Sequence, residues 1–188
     1  MITDLQRNKL AHYYNLLDFN GDGVLERKDF ISIGENLATL WVLSEDSDEY
    51  DQLIAKCSKL WSGFKSFTGE YSDHASLEEW LTFCDSNIVN GSDELYDLHV
   101  ESFVSDILDI FDENEDGFLS VDEFTDLFMA YRIDIKYSAK AFTKLDINND
   151  GQLSHDELRK AFKQFFKSSD PNAPGNWIFG FWEGRERW

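Results

Sequence analysis

The chain has 188 residues, with 17 basic side chains against 37 acidic ones and a formal charge of −20 when its histidines are neutral. So negative a surface repels phosphate backbones and anionic headgroups and gathers cations around itself, which argues against nucleic acid and membrane surfaces as partners. Its 16 Phe, 7 Tyr and 6 Trp are far more aromatic residues than a disordered acidic polypeptide carries, so the chain is expected to fold around a sizeable core.

The first helix signal is a capping-box pattern from Thr3 to Gln6, followed by Leu10, Tyr13, Tyr14 and Leu17 at steps of three and four. An acidic cluster, Asp18-Phe19-Asn20-Gly21-Asp22-Gly23, interrupts it, and Phe30, Ile33, Leu37, Ala38 and Trp41 then resume the helical spacing. Two more periodic stretches follow, Tyr50 to Phe64 and Leu77 to Cys84, before the turn signal Asn90-Gly91. The pattern then returns twice. Asp112-Glu113-Asn114-Glu115-Asp116-Gly117 lies between apolar faces at 100–111 and 124–131, and Asp146-Ile147-Asn148-Asn149-Asp150-Gly151 between faces at 141–145 and 158–165. The unit is helix, acidic loop, helix.

Residues 18–29, 112–123 and 146–157 match the twelve-residue EF-hand calcium loop, whose ligands stand at positions 1, 3, 5, 7, 9 and 12. A hard cation of that size takes six to eight oxygens, and a short loop wrapped around it presents them from alternate residues. The side-chain donors are Asp18, Asn20 and Asp22, then Asp112, Asn114 and Asp116, then Asp146, Asn148 and Asp150. Val24, Phe118 and Gln152 offer backbone carbonyls, while Glu26, Ser120 and Ser154 act through a water. Gly23, Gly117 and Gly151 permit the turn at position 6. Glu123 and Glu157 close their loops with two oxygens each, whereas Asp29 is a methylene shorter, so magnesium is expected to compete most at the first site. Leu25, Leu119 and Leu153 stand at one common offset and are expected to pair the loops through short β-bridges.

Aligning Glu79-Trp80 with Glu123-Phe124 places a fourth, decayed loop at 68–79, with Thr68 at position 1 and Asp73 where the glycine belongs. That loop is expected to hold no ion. The fold class is therefore all-α, with two EF-hand pairs packed into one compact globule: an N-terminal pair at 1–89, a C-terminal pair at 90–168 and an aromatic tail at 169–188 that folds back. Both prolines, Pro171 and Pro174, fall in that tail and stop the last helix. Cys57 and Cys84 lack the spacing of a redox or zinc motif and are expected to be reduced thiols. No signal peptide or spanning segment is legible, so the expected setting is the cytoplasm, without membrane insertion, as a monomer.

The order of an active first hand, a decayed second and active third and fourth hands resembles the calexcitin, calerythrin and sarcoplasmic calcium-binding protein family. The opening Asp4-Leu5-Gln6-Arg7-Asn8-Lys9 and the tail 168–180, with its Pro171-Asn172-Ala173-Pro174-Gly175-Asn176-Trp177, are similar to segments of that family. The resemblance implies a compact α-helical protein that binds calcium inside cells, and it supports the metal role of the residues named above. Asp29 agrees with a pattern in the family's first hand.

Buffering or signalling through three bound calcium ions is the leading expectation. A calcium sensor that exposes an apolar surface to an unknown protein target is the second, although Met1 and Met129 are the only methionines available for an adaptable groove. A coelenterazine-type photoprotein or luciferin-binding protein is the third, in which His12, His74, His99 and His155 would line a cavity. No HExxH, GxSxG or phosphate loop is present, so an enzyme is not expected.

Overall fold

The computed structural model describes residues 1–65 and 73–180. Among them are α1 (Asp4–Leu17), β1 (Val24–Leu25), α2 (Arg27–Leu40), α3 (Asp48–Lys65), β2 (Ala75–Ser76), α4 (Leu77–Phe83), α5 (Asp93–Phe111), β3 (Phe118–Ser120), α6 (Val121–Ala130), α7 (Ser138–Leu145), β4 (Gln152–Ser154) and α8 (His155–Lys167). α4 runs on into a wide π turn, Cys84–Val89, and Ser92 then caps α5 through the N–H of Leu95.

Except for α7, which continues the short turn Ile135–Tyr137, the helices start where a side chain satisfies their free N–H groups. Thr3 and Gln6 form a reciprocal capping box on α1, and Ser76 with Glu79, Ser120 with Glu123, and Ser154 with Glu157 do the same for α4, α6 and α8. The last three boxes use positions 9 and 12 of the loops, so one acid both starts the helix that leaves a loop and ends the loop itself. α2 and α6 stop alike. Val42 and Arg132 take left-handed φ of 55° and 57°, and Leu43 and Ile133 donate back to Ala38 and Phe128. That is the Schellman arrangement, in which glycine is the usual residue.

The loops pair as two short antiparallel ribbons. β1 meets β2 with Leu25 opposite Ala75, and β3 meets β4 with Leu119 opposite Leu153. All four of these side chains are buried, so the common aliphatic offset is the bridge between loops. Ala75 stands at position 8 of the decayed loop, in the register that the alignment to Glu79 requires. Thr68, Glu70 and Ser72 lie outside the described residues.

Above the ribbons, α1 packs on α8, α2 on α6 and α3 on α5, so both halves share one core. Phe30, Trp61, Phe64 and Trp80 fill the N-terminal side, and Phe111, Phe124 and Phe128 the C-terminal side. Cys57 and Cys84 are free, buried thiols. After α8 the tail turns back and sets Phe179, fully buried, in face contact with Tyr13 at a centroid distance of 4.3 Å. Trp177 is half-buried against α7, with the ammonium groups of Lys140 and Lys144 at 4.4 and 5.5 Å from its ring. Phe181 lies outside the described residues.

Candidate metal centres

The three glycine-bearing loops are superimposable in their hydrogen bonds. In 112–123, Asp112 accepts from the N–H groups of Asp116 and Gly117 at 3.1 and 2.8 Å, Asn114 Oδ1 from Asp116 at 2.9 Å, and Asp116 from Phe118 at 3.0 Å. Glu123 ties the ends together, Oε1 accepting from Glu113 N–H at 3.0 Å and Oε2 from Ser120 N–H at 2.8 Å. The loop at 146–157 repeats every one of these bonds, with Glu157 bridging Ile147 and Ser154. So does 18–29, where the shorter Asp29 accepts from Phe19 at 3.1 Å and Glu26 at 2.8 Å. The shorter Asp29 thus makes the same two loop-closing bonds as the two glutamates. Gly23, Gly117 and Gly151 have φ of 85°, 86° and 83°, the left-handed turn expected at position 6.

The position-12 acids Asp29, Glu123 and Glu157 are buried, at 1%, 5% and 8% exposure. Burial is the largest influence on Asp29 and leaves its carboxyl above the usual range. At Glu157 burial pushes the same way, but hydrogen bonds from Ser154, Ile147 and Asn148 together outweigh it and hold the carboxyl low. Among the described residues no three acidic, histidine or cysteine side chains are gathered as a ready-made metal cluster; two of the five expected donors in each loop are an asparagine and a backbone oxygen, and the carboxylates are engaged by N–H groups. The donors present are all oxygens in loops of fixed shape, and that chemistry fits a hard divalent cation.

The decayed loop keeps the capping box and the ribbon partner but differs at position 12. Glu79 is exposed and keeps only its capping bonds to Ser76, with its carboxyl held low by the Ser76 hydroxyl and N–H. Asp73 stands where the other three loops have glycine.

Several contacts at the first loop have no motif behind them. The Tyr14 hydroxyl lies 2.8 Å from the Gly23 carbonyl and 2.9 Å from that of Ala75, pinning β1 to β2, and burial pushes it up to about 12. Arg132 stacks its guanidinium over Phe19 at 3.5 Å, and Lys28 reaches Asp22 at 3.4 Å and Glu26 at 2.5 Å. The only available signal for Tyr14 is a second tyrosine beside Tyr13 on the helix face that carries Leu10 and Leu17.

The histidines do not converge. His12 is bound to the Phe179 carbonyl at 2.9 Å, His155 lies 3.3 Å from Ser105 Oγ on α5, and His74 is exposed. His99 alone lines the apolar cavity among Tyr13, Phe64, Trp80, Val100 and Phe103, whose free space of about 20 Å³ suits a water or so. Among the described residues no helix is long and apolar enough to cross a membrane.

Comparison with known proteins agrees with this geometry. A family model described as EF hand matches residues 104–129 and 139–163. Calerythrin of Saccharopolyspora erythraea is 27% identical over 166 residues, covering 88% of this chain and 94% of its own. The solved coelenterazine-binding protein of Renilla muelleri superposes with a TM-score of 0.79 at 22% identity, over 95% of this chain and 99% of that one. A sarcoplasmic calcium-binding protein from amphioxus gives 0.70 at 18% identity, over 96% and 99%. At such identities the two structures speak for the fold alone. Fold, loops and family model together define an EF-hand calcium-binding protein. Within that class the chain is similar to calerythrin over most of its length, and it shares the fold of the sarcoplasmic calcium-binding proteins.

Proposed function

We propose that this chain binds three calcium ions, at 18–29, 112–123 and 146–157, and none at 68–79, and that it acts as a closed calcium buffer. Asp18, Asn20, Asp22 and Asp29 would hold the first ion with the Val24 carbonyl. Asp112, Asn114, Asp116 and Glu123 would hold the second with that of Phe118, and Asp146, Asn148, Asp150 and Glu157 the third with that of Gln152. The ions would supply positive charge to loops that carry 14 of the 37 acids. Supporting this reading is the contrast at position 12, where three buried acids tie their loops shut and the fourth, Glu79, is exposed. Magnesium competes, most strongly at the first site. The setting is the cytoplasm and the state a monomer.

Buffering is favoured over sensing because the tail already fills the space between the halves, and the methionines are peripheral, Met1 being fully exposed and Met129 39% exposed. The apolar cavity that His99 lines has room for about one water, far below the several hundred Å³ of a coelenterazine-sized ligand. Calorimetric titration with calcium, with and without magnesium, tests the count, and a fourth ion refutes it. Binding of an apolar dye tests the role: equal dye fluorescence with and without calcium is expected, and a large calcium-dependent increase would establish a sensor.

A further inference from the structure

Lys9 has no exposed surface, yet its ammonium is held only by uncharged oxygens: the carbonyls of Gln164 at 3.1 Å and Ser168 at 2.8 Å, and Asn176 Oδ1 at 2.9 Å. Two of these close the C-terminal end of α8, where the helix dipole favours a cation. The third belongs to the tail. Along the same face of α1, Gln6 donates to the Lys167 carbonyl at 2.7 Å, His12 lies 2.9 Å from the Phe179 carbonyl, and Tyr13 stacks on Phe179. The first helix thus meets α8 and the tail through a continuous row of contacts, and it is the helix that leads into Asp18.

The first calcium loop needs such a route. Its strand partner is the decayed loop, whereas 112–123 and 146–157 have each other across β3 and β4. The tail is suited to switch as a unit. Among its described residues the only regular element is the four-residue turn Pro174–Trp177, so its order depends on what lies beneath it. A buried ammonium without a counter-charge is tolerated only while all its acceptors are in place. Gly175 packs so closely on the Ala161 carbonyl that a Cβ there would fall 2.2 Å from the oxygen. Partial undocking would strand Lys9.

Resting on the three-site reading, we infer that residues 173–180 form a strap coupling the first calcium loop to the C-terminal pair, docked when both are filled and released when either empties. Hydrogen exchange on the full chain in calcium tests it, with calorimetry of the same samples. Asp18→Ala empties the first loop alone and is expected to speed exchange at Asn176, Ile178 and Gly180 by tenfold or more while both C-terminal loops stay filled. If calorimetry shows one ion lost and tail exchange is unchanged, the strap is refuted and the three-site reading survives. If Asp18→Ala removes no ion, the site reading fails and the strap with it. Lys9→Met, remote from every loop, is expected to weaken the first site and the C-terminal pair by the same factor, roughly three- to tenfold, because coupling between sites is reciprocal. Asn176→Ala, which leaves the lysine two acceptors, gives the same pattern more weakly and serves if Lys9→Met fails to fold. Wild-type affinity at all sites in a folded variant overturns the inference.

Discussion

Phe179→Ala measures how much of the fold rests on the returning tail. The ring is fully buried, lies 4.3 Å from Tyr13 centroid to centroid, and meets Phe165, Phe162 and Tyr131 at 5.2, 5.7 and 5.9 Å. Its neighbours come from α1, α8 and the end of α6, elements fixed by their own cores, so they cannot collapse into the space left behind. Removing a buried phenylalanine under those conditions costs about 3–5 kcal/mol, transfer and cavity terms together. For a chain of this size each kcal/mol moves the melting temperature by about 2–4 °C, so a fall of roughly 6–20 °C is expected in saturating calcium. Thermal unfolding followed by circular dichroism reads it directly, and Trp177→Ala, removing a half-buried ring at the surface, is the control with a clearly smaller shift. A fall below about 1 kcal/mol for Phe179→Ala would mean that the tail does not dock as described.

Val42→Gly is expected to raise stability by about 1 kcal/mol, because a β-branched residue at φ 55° and 87% exposed gives up strain and almost no packing; an unchanged or lower melting temperature would refute the strain. Glu123→Gln and Glu157→Gln should each abolish most binding at their own loop in calorimetry, and retention of three ions at micromolar calcium would remove their assignment as closing ligands. Calcium removal should lower the melting temperature steeply, since each site contributes roughly 2.7 kcal/mol at a hundredfold excess over its Kd, and added salt should recover part of the loss by screening the acids. His12 is pushed below its ordinary 6.5 mainly by burial, so its contribution to stability is complete above 6.5 and is lost as pH falls from there through its folded value. His12→Gln should flatten that part of the stability profile, and an unaltered slope would show that other groups produce it.

The loops were legible because an EF-hand site is local: twelve consecutive residues contain the donors, the left-handed glycine and the acid that starts the next helix. The second loop's departure from the pattern is visible for the same reason, with Asp73 at position 6. What sequence spacing cannot supply is the partner of a polar residue on an apolar stripe. Gln6 and Lys9 fall on the face of α1 that also carries Tyr13 and Leu17, and they look like interruptions until α8 and the tail provide their oxygens. Val42 was equally opaque, since nothing in Trp41-Val42-Leu43 announces the left-handed turn that the end of α2 imposes on it.

The bond between Lys9 and Asn176 joins residues 167 apart in sequence, and this separation governs the order of assembly. Local helix pairs and their ribbons form early, whereas a contact between the two ends waits until nearly the whole chain is available. During synthesis α1 leaves the ribosome long before the segment that covers its inner face, so Lys9 and Tyr13 stay in water while the hands fold behind them. Burying Lys9 therefore requires closing a loop of 167 residues.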